Sequence, residues 1–277
     1  NEAASAAVAA SEAGNMIPYD QYLEEIRYDF NDECLFELMY TTTDNLADRM
    51  PGFIINMTVN ENNRHDETSV GYGEIGVSDE FLNLLNENTS DIRIQLLHED
   101  KTSTAPLSII DPIHGEDGYS ARYYYKYIGC KGGSPYVHNT PYIRIPEALL
   151  VAAEAYSEMP GNDNAALDYL NEVYEARTGN ILTNLTGQAL KDEIFKERRR
   201  ELALEGHGIY DYLRKNRSFT RDASHHTIVT IDPTTPTGRS NDYFFRVVYP
   251  IPIEEMDANP KIRNQQNPGY SAYIGSN

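Results

Sequence analysis

The sequence is short of the residues that several functional classes need. It has no tryptophan, and 23 lysines and arginines stand against 43 aspartates and glutamates, which gives a formal charge of −20. Nucleic-acid binding depends on cationic side chains that release phosphate counterions, and anionic membrane surfaces attract polybasic segments. The charge therefore argues against both, and it favours a neutral or cationic partner. With 277 residues, 40% of them hydrophobic, the chain can form one large core or two smaller ones.

Cysteine is also scarce, since Cys34 and Cys130 are the two present. This excludes a disulfide-dense scaffold and a cysteine-rich zinc site. One disulfide between the two stays open, and the apolar surroundings of Cys34 favour a buried small side chain. The sequence has no apolar run of about 18 residues, and its alanine-rich start lacks the basic residues of a signal peptide. These absences fit either a cytosolic protein or part of a longer product.

The first half of the chain mixes helical and extended patterns. Alanine predicts a helix from Asn1 to Gly14 whose small residues allow close packing on another helix. The polar stretch "VNENNRHDETSV" predicts a loop, and Ser78 followed by two acids predicts the cap of a helix that runs to Leu85. Further expectations are helical spacing of Tyr22, Ile26 and Phe30, a strand over Cys34–Tyr40, an irregular 106–118 segment, and a strand over Ala121–Ile128.

From Pro141 onward the pattern becomes helical. Two amphipathic helices follow, joined by a Pro-Gly-Asn turn, with Asp163 or Asn164 as the expected N-cap of the second. Leu149, Ala153 and Tyr156, followed by Ala165 and Tyr169, have the spacing of a tetratricopeptide unit. The pattern departs from that unit near its end, where Arg177 occupies a position at which proline is common.

The next helix, predicted over Gly187–Glu205, is the most highly charged segment. Glu197, Arg198, Arg200, Glu201 and Glu205 follow one another at spacings that permit ion pairs. A catalytic role requires a cleft and a shifted pKa, and a nucleic-acid role is opposed by the carboxylates. We therefore interpret the segment as a scaffold helix that packs on the preceding pair and receives the chain terminus, with Arg144, Glu147 and Glu154 as candidate ion-pair partners.

Four segments, in this order, resemble the SusD/RagB family of outer-membrane glycan-binding lipoproteins. They are "NDECLFEL", "RIPEALLVAAEAY", "ERRRELALEG" with the following "YDYLR", and "YPIPIEEMDANPKIRNQQNPGY". The resemblance implies a mainly α-helical fold with tetratricopeptide-like pairs, irregular loops and a few short strands. It also implies that this chain is the C-terminal part of a longer lipoprotein, whose lipid anchor lies on the missing N-terminal half.

The resemblance implies four regions. Residues 1–40 form a helix and the "ECLFEL" segment, residues 41–140 a loop-rich ligand side, residues 141–216 the tetratricopeptide-like helices, and residues 217–277 an extended tail. Asparagines, prolines and other turn residues in the tail should hold it by side-chain-to-backbone bonds. If the chain stands alone, the apolar face of its first helix should be exposed.

Sugar recognition needs aromatic rings for stacking and polar groups for the hydroxyls. With 21 tyrosines and no tryptophan, any such ring here is tyrosine or phenylalanine. Tyr72 lies between glycines close to a polar cluster, and Tyr119 has a similar setting. The candidate ligand-binding residues are Tyr72, Asn62, Asn63, Arg64, Asp66 and Tyr119.

Other motifs are interpreted as structural. "GYGEIG" matches Gly-x-Gly-x-x-Gly but lacks the strand and helix of a dinucleotide site, and "GNDNAALD" lacks the length and closing glutamate of an EF-hand loop. His225 and His226 are adjacent on a polar loop, which favours simple exposure over metal binding. We expect no catalytic residue, metal or cofactor.

The resemblance implies a protein that binds an oligosaccharide or polysaccharide at the cell surface. It would pass the glycan to a SusC-like TonB-dependent outer-membrane transporter for nutrient uptake. The alternatives are a tetratricopeptide-type protein-interaction module without its own glycan site and a glycoside hydrolase, which needs two carboxylates across a cleft.

Overall fold

The fold is described from a computed structural model. It describes residues 1–26, 28–41, 43–44, 57–59, 65–70, 77–99, 122–124, 126, 139–221, 229–235, 247, 249–267 and 269–270. The chain divides into two compact units, Asn1–Glu205 and Gly206–Asn277. No helix in the described residues is long and apolar enough to cross a membrane.

The first unit is built mainly from helices. Helix α1 begins the chain, and the longest helices follow one another in its last third. A 3-10 turn over Ile92–Leu96 leads into a strand that begins at Leu97. The described helices of this unit are α1 (Glu2–Ser11), α2 (Tyr22–Glu25), α3 (Asp79–Leu85), α4 (Ile145–Ser157), α5 (Asp163–Thr178) and α6 (Gly187–Glu201).

The described strands of the first unit pair two by two, each pair antiparallel. They are β1 (Cys34–Leu38) with β6 (Thr140–Arg144), β2 (Met57–Val59) with β3 (His65–Val70), and β4 (Leu97–Glu99) with β5 (Arg122–Tyr124). The mainly α-helical fold with a few short strands, expected from the sequence, is thus confirmed.

The helical pair α4–α5 forms the centre of one hydrophobic core. Leu149, Ala153 and Ala166 are buried between the two helices, and α1 and α6 both pack on α4. Tyr156 and Tyr169 stack with ring centroids 5.5 Å apart and planes 9° from parallel. The predicted tetratricopeptide-like pair therefore forms. The small residue buried in its second helix is Ala166, whereas the predicted Ala165 is half-buried.

The alanine-rich helix α1 finds its partner far along the chain. Ala4 and Ala7 are buried where α1 packs on α4, because their small side chains let the two helices approach closely. Gly14 allows the chain to leave α1 tightly, since a Cβ there would lie 2.8 Å from the Asp32 carbonyl oxygen. The predicted helix is confirmed, and the face that packs on α4 is covered rather than exposed.

A second core lies under the 3-10 turn. It packs α2 and α3 against the turn, and its buried side chains include those of Ile17, Tyr22, Leu85 and Leu96. Ser78 caps α3 as predicted, because its hydroxyl oxygen accepts a hydrogen bond of 3.2 Å from the Phe81 amide.

Several sequence expectations need correction. The polar stretch predicted as a loop contains β3 and the last residue of β2, which pair with each other. The strand predicted over Ala121–Ile128 is observed over Arg122–Tyr124, with Lys126 in a turn. Helix α6 ends at Glu201 instead of Glu205. Asp163 is the first residue of α5 rather than its cap, and its carboxylate accepts a 2.8 Å bond from the Gly187 amide instead. The 106–118 segment lies outside the described residues.

The second unit contains helix α7 (Gly208–Arg214), the antiparallel pair β7 (Phe219–Arg221) and β8 (Val229–Ile231), helix α8 (Ile253–Ala258) and a 3-10 turn over Pro260–Ile262. The terminal segment is held as predicted by side-chain-to-backbone bonds. The Gln266 amide both donates to and accepts from the Ile251 backbone at 3.0 and 2.9 Å, and Asn267 donates to the Tyr249 carbonyl at 2.6 Å. The tail is less extended than expected, because α8 and the 3-10 turn interrupt it.

Candidate functional site

All but one of the predicted ligand-binding residues lie in parts of the 41–140 region that are outside the described residues. Tyr72, Asn62, Asn63, Arg64 and Tyr119 lie outside the described residues, as does the histidine pair. The exception is Asp66, which is in β3, where its backbone pairs with Thr58. The proposed set therefore stays a prediction.

What the structure does describe is a cluster of charges inside the first unit. Four cations and five carboxylates meet there, and none of their side chains is more than 7% exposed. Burial of this kind is tolerated when every charge has opposite charges and hydrogen bonds. We call this set the buried charge cluster: Arg93, Lys126, Arg144 and Arg177 with Glu33, Asp91, Glu197, Glu201 and Glu205.

Glu201, the last residue of α6, is the hub of the cluster. Its carboxylate accepts hydrogen bonds from Arg93 at 3.1 Å, from Arg144 at 2.9 Å, and from Arg177 at 3.0 and 3.3 Å. Its backbone carbonyl also accepts from Arg144 at 3.2 Å and from the Lys126 ammonium. Three arginines from three distant segments thus converge on one side chain.

Glu33 is the second hub, directly before β1. Its carboxylate accepts from Arg177 at 2.5 Å, from Arg144 at 3.0 Å, and from the Ile17 amide at 2.9 Å. Arg177 also lies 4.1 Å from the centre of the buried Tyr22 ring, at cation–π distance. Two residues of the second core, Ile17 and Tyr22, therefore contact this part of the cluster.

The remaining members extend the cluster toward β5 and β6. Glu205 accepts from Arg144 at 3.0 and 2.6 Å and from Lys126 at 2.5 Å. Arg93 is held by Asp91 at 2.9 and 2.7 Å.

The cluster favours the ionised form of three of its carboxylates, those of Glu197, Glu201 and Glu205. Burial raises the pKa of Glu197, Glu201 and Glu205, but the surrounding arginines, and Lys126 where it is near, lower these pKa values below the ordinary value. A general acid needs the opposite shift. The charged helix α6 is thus suited to holding segments together, which agrees with its interpretation as a scaffold helix.

Sequence reasoning found part of this cluster. It named Arg144 as a partner of α6, and this is confirmed. It missed Glu33, Arg93 and Lys126, and it noted Arg177 merely as a departure from the tetratricopeptide pattern. An arginine at a position where proline is common was the available signal. The predicted pairing along α6 forms between Glu197 and Arg200 at 2.9 Å, whereas Glu201 pairs across the fold.

Cys34 does not behave as a fully buried residue. It is half-buried and is a free thiol in the structure. Burial, followed by the negative charge of Glu37, raises the pKa of this thiol to about 12. It is therefore a poor nucleophile at neutral pH.

Comparison of the chain with known protein families and structures identifies the class of protein to which it belongs. Residues 116–270, more than half of the chain, match the SusD family model. The chain belongs to the SusD/RagB family.

Individual relatives support the same family assignment. SusD-like protein P2 of Formosa agariphila is 32% identical over 160 residues, which are 53% of this chain and 29% of that protein. A SusD superfamily structure from Bacteroides thetaiotaomicron is 29% identical with a TM-score of 0.74, covering 96% of this chain and 57% of that one. A Bacteroides vulgatus protein whose assigned role is sugar binding is 27% identical with a TM-score of 0.69, covering 97% and 54%. The chain thus spans about half the length of these solved relatives.

Proposed function

We propose that this chain is part of a cell-surface receptor that binds oligosaccharides or polysaccharides and delivers them to a SusC-like TonB-dependent transporter. The observation that carries this proposal is the SusD family match over residues 116–270. The B. vulgatus relative assigned to sugar binding supports the ligand class. The receptor makes and breaks no bond, so the glycan is captured and released unchanged.

The location and the partners belong to the same proposal. The receptor is held at the outer-membrane surface by a lipid anchor, and the anchored half of the polypeptide precedes this chain. Support for a longer polypeptide comes from the solved relatives, since 43% or more of each of these two chains has no counterpart here.

The glycan is recognised by stacking on Tyr72 and Tyr119, with Asn62, Asn63, Arg64 and Asp66 bonding its hydroxyls. Each such contact is weak, which suits a receptor that must release its cargo. The charge of −20 supports a neutral ligand over an anionic one. The buried charge cluster fixes the segments on either side of this region.

A glycan array tests the proposal, with the chain applied alone and fused behind the anchored half. Tyr72→Ala and Tyr119→Ala should each weaken binding of the best glycan by up to about tenfold, since a ring stacked in this way contributes about 0.5–1.5 kcal/mol. Tyr210→Ala is the matched control, because Tyr210 is 56% exposed on α7 in the second unit. Binding that is absent in both forms, or shortening of the glycan during incubation, would refute the receptor.

A further inference from the structure

The two-stranded ribbon β1–β6 presents apolar side chains to solvent. An antiparallel pair with one solvated face normally places polar residues on that face. Here Phe36 and Tyr142 are 53% and 59% exposed, and their rings meet edge to face with centroids 6.1 Å apart. We call these exposed side chains, with two from the adjoining turn, the ribbon face: Phe36, Leu38, Met39, Tyr142 and Ile143, with Tyr28 and Phe30.

The ribbon face is held in place by polar groups beneath it. The Glu37 carboxylate accepts a 2.7 Å bond from the Phe30 amide and a 2.9 Å bond from the Asn139 side chain. Glu37, which lies in β1, thereby connects the turn at Phe30 with Asn139, the residue directly before β6. Phe30 adopts a φ of 55°, a left-handed conformation that costs a non-glycine residue about 1 kcal/mol or more. The fold bears this cost while keeping the Phe30 ring 66% exposed.

The ribbon face is large enough to be a binding surface. Seven large side chains, each about half exposed, present roughly 600 Å² together if each ring or aliphatic chain offers roughly 170 Å². The largest apolar patch on a typical monomer is about 300–600 Å², and a standard interface buries about 800 Å² per partner. Four aromatic rings, a methionine and no charged side chain also match the composition of an interface centre.

The surroundings of the ribbon face are acidic. Apart from the buried Glu33 and from Glu37 beneath the face, the sequence from Asn15 to Asp44 has six aspartates and glutamates and a single basic residue, Arg27. Asp32 and Asp44 are exposed. Two copies of this chain would bring these acids, and a charge of −20 each, against one another. The charge therefore disfavours a second copy and favours a partner that carries cations.

We propose that the ribbon face is the docking surface for a different polypeptide, one whose apolar side chains are flanked by lysine or arginine. The apolar side chains cover the rings of Phe36 and Tyr142, and the cations meet the acidic rim. This inference is independent of glycan binding, which we assign to other residues. Leucine, isoleucine and methionine among the exposed side chains favour a polypeptide over a sugar, because a sugar needs hydroxyl-binding groups between the rings.

A displayed library of random dodecapeptides, selected on the full chain, tests the proposal. Peptides rich in apolar residues with lysine or arginine should be enriched. Synthetic copies of them should bind in fluorescence anisotropy with a Kd that rises with salt concentration. The double variant Phe36→Ser, Tyr142→Ser should raise that Kd at least about tenfold, which corresponds to about 1.4 kcal/mol or more.

Two matched variants keep the result interpretable. Ile209→Ser with Tyr210→Ser removes an exposed apolar pair from the second unit and should leave the Kd unchanged. Leu38→Ser with Met39→Ser should weaken binding without removing the aromatic pair. Circular dichroism checks that each variant is folded. Failure to enrich such peptides, equal binding by the ribbon variants, or self-association that salt strengthens and the variants abolish would each overturn the proposal.

Discussion

The same two strands carry opposite chemistry on their two faces. Glu33, directly before β1, and Arg144, at the end of β6, are buried in the charge cluster. Phe36 and Tyr142, two or three residues away, are more than half exposed. The usual arrangement of apolar residues inside and charges outside is thus reversed across this ribbon.

The comparison shows two different requirements on one element. Buried charges need several specific partners, so they select one arrangement of distant segments. Arg177 meets Glu33 across 144 residues of sequence, and Arg93 meets Glu201 across 108. Exposed aromatic rings need no partner within the fold, and their position is explained by binding rather than by stability. Substitutions of buried charges and of exposed rings should separate these two roles.

The largest effect is expected from removal of the hub charge. Glu201→Gln leaves Arg93, Arg144 and Arg177 buried with less compensation, so the free energy of unfolding should fall by about 3–5 kcal/mol. Urea unfolding followed by circular dichroism measures this change. Glu158→Gln is the control, since its pair with Lys191 is half exposed and should contribute about 1 kcal/mol or less. Equal effects of the two substitutions would show that the buried cluster does not stabilise the fold.

Acid should weaken the same cluster. The folded-state pKa values of Glu197, Glu201 and Glu205 lie below the ordinary value, chiefly because arginines oppose the effect of burial. Their contribution is therefore fully present above about pH 4.5, the unfolded-state value, and it is lost as pH falls through the folded-state values. The free energy of unfolding should drop as pH falls below about 4.5.

Glu205→Gln sharpens this test, because the variant lacks one of the three titrating groups. The difference in free energy of unfolding between wild type and variant should shrink as pH falls from 6 to 3. A difference that stays constant over this range would contradict the assignment of a lowered pKa to Glu205.

A smaller effect is expected at Lys126. Burial lowers the pKa of this lysine despite the attraction of Glu205. Arg144 also bonds both Glu205 and the Glu201 carbonyl that Lys126 contacts. Lys126→Met should therefore change the free energy of unfolding by about 1 kcal/mol or less, whereas Arg144→Met should cost about 3–5 kcal/mol. Urea midpoints compare the two variants. A larger fall in the free energy of unfolding for Lys126→Met would show that Lys126 stabilises the cluster more than Arg144 does.

Local signals explain what sequence analysis predicted correctly. The Ser78 cap, the alanine of α1 and the apolar spacing of α4 and α5 act within a few turns of helix. The resemblance supplied the family and the mainly α-helical fold.

The features that sequence analysis missed depend on distant contacts. Nothing near Ala4 indicates that α4 will cover it, and nothing near Arg177 names Glu33. The β2–β3 hairpin was missed because its polar composition is also typical of a loop. Helix α6 was extended too far, although its charges were noticed, because their spacing fits helical pairs as well as pairs across the fold.

A similarly small effect is expected on the outer face of the ribbon. Phe36→Ser removes a half-exposed ring and its edge-to-face contact with Tyr142, so the free energy of unfolding should fall by about 0.5–1.5 kcal/mol. A urea midpoint close to that of wild type, together with reduced fluorescence of a hydrophobic dye, would agree with a ring kept for binding. A loss as large as that of Glu201→Gln would mean that the ring supports the fold, and the contrast between the two faces of the ribbon would then disappear.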